Sequence, residues 1–242
     1  MRYLILLIFF TVPLSVYAQH SQLSVKNPSP RVGEQIEIVM TLKKEDLETL
    51  EKKKSKTIEE FSKIQDNFYG SGSLKFSNVA TEPGIKQFGP FDFKFGDITV
   101  KTDSIKLNIV PALPADKKEG LWVRVVEFRR ENYLILEQRI PNQLKSEKRD
   151  DQITHEFSAG GVKFAELDQA KFELKGFDII STNTSSNSQT IDKGNLATGT
   201  VSYKISIYKF SKTDKFSKKV ELDQSMFSNF PGKIEDGRVW IE

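Results

Sequence analysis

The chain contains no cysteine. No disulfide can tie it together, and no lipid can be attached through a cysteine thiol, so each domain must be held by burial of apolar surface alone. Histidine is scarce as well, with only His20 and His155 in 242 residues. A serine or cysteine nucleophile usually needs a histidine base. His20 lies in a terminal stretch, which leaves His155 in the run DQITHE, read here as an exposed histidine at a strand end. No Gly-x-Ser-x-Gly elbow is present. Zinc needs clustered histidine, cysteine or carboxylate ligands, and this composition argues against such a cluster. The calcium-loop pattern, the dinucleotide-binding glycine pattern and the phosphate-binding loop are all missing. A glycosidase needs only two acids that meet in space, and nothing in the sequence selects a pair. The expectation is a non-enzymatic protein with no catalytic, cofactor-binding or metal-binding residues.

One-sided charge is also lacking. Thirty-six Lys and Arg stand against 33 Asp and Glu, for a net charge of +3. That balance, spread along the chain, does not suit a nucleic-acid partner. Long apolar runs are confined to the start. Arg2 is followed by an almost wholly apolar stretch over 4–14, broken by Thr11 and Pro13, and then by small residues at Val16 and Ala18. This is the pattern of a secretory signal peptide over 1–18, with cleavage before Gln19. The run is shorter than the roughly 20 apolar residues that span a bilayer, the alternative being a retained anchor. No later stretch reaches that length, so no membrane span is expected after cleavage. A secreted chain without cysteine fits a bacterial periplasm, and the expected location is periplasmic or secreted.

What remains is rich in β patterning, with 18 Phe, 6 Tyr and 2 Trp available for cores. Leu23-Ser24-Val25 alternates, Asn27-Pro28-Ser29-Pro30 forces a turn, and Arg31-Val32-Gly33-Glu34 precedes a period-two strand. In that strand Ile36, Ile38, Met40 and Leu42 share one face. Strand, proline turn, Val-Gly-Glu and strand is a common opening for an immunoglobulin-like sandwich. Residues 43–67 break the pattern with a run of strong helix formers of both charge signs, in which Thr57 and Glu60 have capping-box spacing. This predicts a charged helical insertion packed over a sheet edge, in preference to a partner-binding or membrane-surface helix.

Residues 74–79 predict a short strand. Phe91, Phe93 and Phe95 alternate with polar residues and predict core rather than a ligand platform. Residues 98–100 and 104–110 predict a hairpin with its turn near Thr102-Asp103. Residues 113–120, with two prolines just before or within them and then charge and glycine, predict a linker. Beyond it, 121–128 and 133–139 predict two strands joined by a turn at 129–132. Residues 140–151 read as a polar stretch. Residues 172–180 lead into 181–190, which is almost all Ser, Thr, Asn and Gln and suits an exposed edge strand or a loop. Residues 199–210 predict the cleanest strand of this half, and 232–242 a closing hairpin. The two terminal hairpins echo one another weakly. The expected organisation is a signal peptide at 1–18, a first sandwich over 19–112 with its insertion at about 43–67, a linker at 113–120 and a second sandwich over 121–242.

Two sets of residues carry a family likeness. Leu23-Ser24-Val25 with Pro30-Arg31-Val32-Gly33-Glu34-Gln35 resembles the opening of BatD, the oxygen-tolerance family of bacterial periplasms. Gly84-Ile85-Lys86-Gln87-Phe88-Gly89-Pro90 followed by Asp103-Ser104-Ile105-Lys106-Leu107-Asn108-Ile109-Val110-Pro111 is similar to the end of a domain in that family. Gly176-Phe177-Asp178-Ile179-Ile180-Ser181 and Val201-Ser202-Tyr203-Lys204-Ile205 resemble its central strands. The resemblance implies tandem immunoglobulin-like sandwiches that work without catalysis beside membrane proteins carrying von Willebrand A domains and a MoxR-type ATPase. The family usually continues to a transmembrane helix, and here the stretch 43–67 replaces middle strands of the first domain. A BatD-like group is therefore the expectation, with no site residues carried over.

The mostly β chain, two tandem immunoglobulin-like β-sandwiches with a charged helical insertion in the first, is expected to bind other envelope proteins, with 181–190 as the best edge for strand addition. The alternative is a carbohydrate- or surface-binding module that uses exposed aromatics such as Trp122, Tyr133 or Trp240. Asp103-Ser104-Ile105 also resembles the short O-glycosylation pattern of Bacteroidota secreted proteins, which would place a sugar on Ser104.

Overall fold

The computed structural model describes residues 19–41, 68–69, 73–95, 98–149, 152–192, 194, 199–216 and 219–242. The expected signal peptide at 1–18 and the expected helical insertion at 43–67 lie outside these residues. The described chain is mostly β, arranged in several sheets. Its strands are β1 (Gln19–Val25), β2 (Gln35–Thr41), β3 (Phe68–Tyr69), β4 (Ser73–Val79), β5 (Gly84–Phe88), β6 (Asp92–Phe95), β7 (Ile98–Thr102), β8 (Ile105–Ile109) and β9 (Gly120–Phe128). They continue with β10 (Glu131–Pro141), β11 (Gln143–Arg149), β12 (Gln152–Ser158), β13 (Glu166–Leu167), β14 (Phe177–Thr190), β15 (Thr200–Lys212), β16 (Val220–Glu221), β17 (Phe227–Ser228) and β18 (Trp240–Ile241). Among the described residues one α-helix occurs, α1 (Gln169–Leu174). No described helix is long and apolar enough to cross a membrane.

The chain divides into two compact units that interleave in sequence. The first comprises Met1–Ser24, Ile38–Phe76 and Gln87–Lys106, and the second Val25–Glu37, Ser77–Lys86 and Leu107–Glu242.

In the first unit, β1 runs parallel to β7 with Ser21 opposite Thr102, and β7 runs antiparallel to β6 with Phe93 opposite Val100. These strands belong to a six-stranded sheet ordered β3-β4-β2-β1-β7-β6. Period two selects the buried side chains, so Leu23, Ile38, Met40 and Val100 are all within 2% of full burial. Phe93 stacks on Phe76 at 5.2 Å and tilts against Phe91 at 6.0 Å, so Phe76, Phe91 and Phe93 form a half-buried cluster. Asp103 fixes the end of β7. Its Oδ1 accepts the N–H of Leu23 at 2.8 Å, and its own N–H donates to Ser21 at 3.1 Å. Strand β8 does not fold back on β7 as the sequence pattern predicted. It pairs with β5 in a separate sheet, because both edges of β7 are already taken by β1 and β6.

The second unit is organised by a four-stranded antiparallel sheet ordered β14-β15-β10-β9. Strands β9 and β10 meet in a two-residue turn, with Phe128 opposite Glu131. Both turn residues lie in the left-handed region, Arg129 at φ 53° and Arg130 at φ 63°. This is the mirror-image turn whose twist suits a tight hairpin.

Each face of this sheet carries a buried cluster. One face carries Leu121, Val123, Leu134, Leu136, Tyr208 and Phe210. Against it pack α1 and the short strands near the C-terminus. Phe172, Phe177 and Phe210 form a fully buried trio, with ring centres 4.6–5.5 Å apart. Asp168 caps α1 by accepting the N–H of Lys171, and Gly176 at φ +90° turns the chain out of the helix.

The opposite face carries Trp122, Ile135, Tyr203, Ile205 and Ile207, with Leu113 packed on them. The segment 113–120 belongs to this unit. Nη1 of Arg139 donates to the carbonyls of Pro114 at 2.7 Å and Lys117 at 3.0 Å. The expected closing hairpin is absent: β18 pairs with β16, with Val220 opposite Ile241. Neither expected terminal hairpin forms, which removes the internal echo. The polar stretch after Ile140 supplies β11, which pairs antiparallel with β12, and there His155 sits mid-strand opposite Ser146, not at a strand end.

Candidate binding site on the second unit

The residues after the first proline turn build a small scaffold over the Trp122–Tyr203 face of the four-stranded sheet. Arg31 to Glu34 form a hydrogen-bonded turn in which the N–H of Glu34 donates to the carbonyl of Arg31 at 3.0 Å, with Gly33 at φ +90°. A positive φ at the third position is what a type II turn requires, and only glycine adopts it without strain. The turn then folds onto its own glutamate. Oε2 of Glu34 accepts the N–H of Arg31 and Nδ2 of Asn27, both at 3.0 Å. The short motif Arg-Val-Gly-Glu thus carries both the bend and the acceptor that stabilises it.

Two arginines hold this scaffold to the sheet through one buried acid. Glu137 on β10 is 0% exposed. Its Oε2 accepts Nε of Arg31 at 2.7 Å and also Nη1 of Arg124, and its Oε1 accepts the hydroxyl of Tyr203 at 2.7 Å. Arg124 also donates from Nη2 to the carbonyl of Ser29 at 2.6 Å, and Arg31 from Nη1 to the carbonyl of Pro111 at 2.9 Å. A buried carboxylate is tolerated only when it is paired and hydrogen-bonded, and here three donors serve it. Burial, followed by the charges of Glu137 and Glu34, pushes the Tyr203 phenol well above its ordinary range. Burial also raises the carboxyl of Glu34 above its usual value, against the opposing pull of the Arg31 N–H. The same hydroxyl of Tyr203 lies 3.2 Å from Oε1 of Glu34, so the two acids share one phenol.

Beside this network the unit contains a cavity of about 500 Å³. One wall is strand β14, whose alternate residues Asn183, Ser185, Asn187 and Gln189 line it. The floor is β15, with Tyr203, Ile205 and Ile207 directly opposite Asn187, Ser185 and Asn183 in the antiparallel register. The remaining wall is the segment from Lys26 and Asn27 through Glu34 to Glu37, with Ile36 contributing an apolar side chain. Lys26 and Glu37 pair across this wall at 3.1 Å.

Strand β14 is the edge of its sheet. Among the described residues no strand pairs with its outer side. Its register with β15 shifts once, between Ile179 and Ser181, and then runs unbroken to Thr190. Residues 181–190 carry neither charge nor proline, and nearly all of them are exposed.

The aromatic residues offered by the sequence do not form an exposed ligand surface, since Trp122 lies in a buried cluster against which Tyr133 packs. Trp122 is 3% exposed and lies in the core under Arg139, which corrects its reading as an exposed aromatic. It belongs to the buried cluster that holds Leu113, Ile135 and Tyr203. The Tyr133 hydroxyl donates to Glu131 at 2.7 Å. Trp240 is 38% exposed, with the ammonium of Lys219 4.9 Å from its ring centre. Ser104 is exposed. No motif in the sequence marks Glu34, Glu137 and Tyr203 as one cluster, although they meet in the structure. The available signal was an acid inside the apolar run Leu134-Ile135-Leu136-Glu137. Among known protein families, curated proteins and solved structures, none matches this chain.

Proposed function

We propose that the protein is a non-catalytic binding module of the bacterial cell envelope that recruits an extended segment of a partner protein onto the outer edge of β14. The observation that carries this reading is the unpaired edge itself. Natural sheets blunt long edges with prolines, charges, bulges or covering loops, because a bare row of N–H and C=O groups invites pairing. Residues 181–190 have none of the first two devices, and their single bulge lies upstream. Their exposed side chains are hydroxyls and amides, which keep the edge soluble without covering its backbone. Each main-chain hydrogen bond made by an added strand contributes about 0.5–1.5 kcal/mol net, so a segment of several residues supports useful affinity.

The BatD-like resemblance of 30–35 and 84–90 supports an envelope partner, with von Willebrand A domain proteins as the first candidates. The same reading takes the architecture as two tandem immunoglobulin-like sandwiches with a charged helical insertion in the first. It takes the protein as exported by its leader to a periplasmic or secreted location.

The test is affinity capture from envelope extract with the wild type and a Thr182→Lys/Ser186→Lys variant, followed by amide exchange on the purified complex. The reading expects a partner retained by the wild type and lost by the variant, with new protection of alternate N–H groups over 181–190. Equal capture by both proteins, or protection elsewhere only, refutes it.

A further inference from the structure

We infer that the cavity walled by β14 and the 26–37 segment is a binding site for a neutral saccharide unit. The inference goes beyond the docking edge, since it uses the side chains of β14 and not its outer backbone. Its size of about 500 Å³ falls within the range of small-ligand pockets, roughly 300–1,000 Å³.

The chemistry of the walls narrows the ligand class. Asn183, Asn187 and Gln189 each present a carboxamide with two donors and an acceptor, and Ser185 adds a hydroxyl. Alternate residues on one strand face stand about 7 Å apart, so the wall offers a repeating row of mixed donors and acceptors. A sugar hydroxyl is itself both donor and acceptor, and a row of hydroxyls around a ring fits such a wall. The apolar contribution of Ile205 and Ile207 matches the C–H face that the same ring carries. Ligands of other classes fit less well. The cationic group of Lys26 is paired with Glu37 at 3.1 Å, which leaves little to attract a phosphate or carboxylate. The carboxyl of Glu34 is engaged by Asn27, the Arg31 N–H and Tyr203, which disfavours a cationic ligand. A flat aromatic ligand would find a single ring, Tyr203, in a lining otherwise of amides, hydroxyls, charged groups and aliphatic side chains, too little for stacking on both of its faces.

The experiment is a glycan array bearing neutral and acidic glycans, probed with the full chain and with Asn187→Leu and Asn183→Leu. Both positions are exposed, and melting curves would check that the variants fold. Titration of the best array glycan into the wild type, read by side-chain amide NMR, would locate the site. The expected result is binding of one or more neutral glycans, weakened at least tenfold in Asn187→Leu and unchanged in Thr182→Lys, which lies on the other face. Any of three results overturns the inference: no neutral glycan bound, acidic glycans alone bound, or a neutral glycan bound equally by the leucine variants. Loss of partner capture in Thr182→Lys/Ser186→Lys with glycan binding intact would leave this site standing and the edge reading separate.

Discussion

The hydroxyl of Tyr203 donates to Oε1 of Glu137 at 2.7 Å, joining the neighbouring strands β15 and β10 inside the second unit. The opposite oxygen of Glu137 holds Arg31 and Arg124, which anchor the segment that walls the cavity. Removing the phenol in Tyr203→Phe leaves a fully buried carboxylate with one donor fewer, a loss of about 1–3 kcal/mol. Removing the charge in Glu137→Gln leaves two partly buried guanidinium groups without their counter-charge, at about 3–5 kcal/mol. Urea denaturation of both variants checks the order. Glu137→Gln must lower the midpoint further than Tyr203→Phe, and similar small shifts would show that the arginines are served by solvent.

Glu34 gives the network a pH dependence of definite sign. Burial raises its carboxyl above the usual range, and the charge of Glu137 adds to the rise. The folded protein therefore holds a proton that the unfolded chain releases near pH 4.3. Stability from this group is full below that pH, falls as pH rises through the folded value, and is flat above it. Glu131 acts in the opposite sense. Its hydrogen bonds from Lys209 and Tyr133 lower its carboxyl, so its contribution is lost as pH falls. The difference between Glu34→Gln and wild type isolates the first effect. Urea unfolding from pH 4 to pH 7 is expected to show the variant gaining on the wild type as pH rises. A difference that stays constant would mean that Glu34 titrates as it does in the unfolded chain.

The turn between β9 and β10 stores strain that one substitution relieves. Arg130 lies at φ 63°, a region where a side chain costs about 1–2 kcal/mol. Glycine adopts it freely and is the residue that two-residue hairpins of this kind favour. Arg130→Gly is expected to stabilise the second unit by about 0.5–1 kcal/mol, after the entropy that glycine gains in the unfolded chain. Thermal denaturation reads this as a higher melting temperature, and a lower one would show that Arg130 makes contacts worth more than its strain.

Period-two alternation made the strongest strands legible. Ile36, Ile38 and Met40 in β2, Ile105, Leu107 and Ile109 in β8, and Tyr203, Ile205 and Ile207 in β15 are all buried. The edge character of 181–190 was legible for the converse reason, since a run without an apolar face has no place inside a sheet. Pairing was less legible, because alternation marks a strand but not its neighbour. Thus β8 left β7 for β5, and β18 joined β16 rather than a closing hairpin. Strand β11 lacks apolar alternation and falls within the polar stretch 140–151. Helix α1 is a turn and a half long, too short for helical periodicity to register, and its signal was Asp168 capping Lys171. The cavity was hidden because its two polar walls are more than 140 residues apart in sequence and meet only when Arg31 and Arg124 converge on Glu137.

Gly176 tests how tightly the core of the second unit is closed. It follows α1 at φ +90°, and a methyl group there would lie 2.6 Å from Cα of Phe216. The carbonyl of Gly176 accepts the N–H of Thr213 at 2.9 Å, and Phe216 in turn packs on Phe177 at 5.1 Å. The backbone on both sides is therefore fixed, and neither can retreat without opening the Phe172–Phe177–Phe210 trio. Gly176→Ala adds left-handed strain of about 1–3 kcal/mol to a main-chain clash, whereas Gly232→Ala at φ +100° meets no atom within 4 Å and carries the strain alone. Urea denaturation of the two variants separates the terms. The larger loss must fall on Gly176→Ala, and equal losses would mean that the 213–216 turn yields.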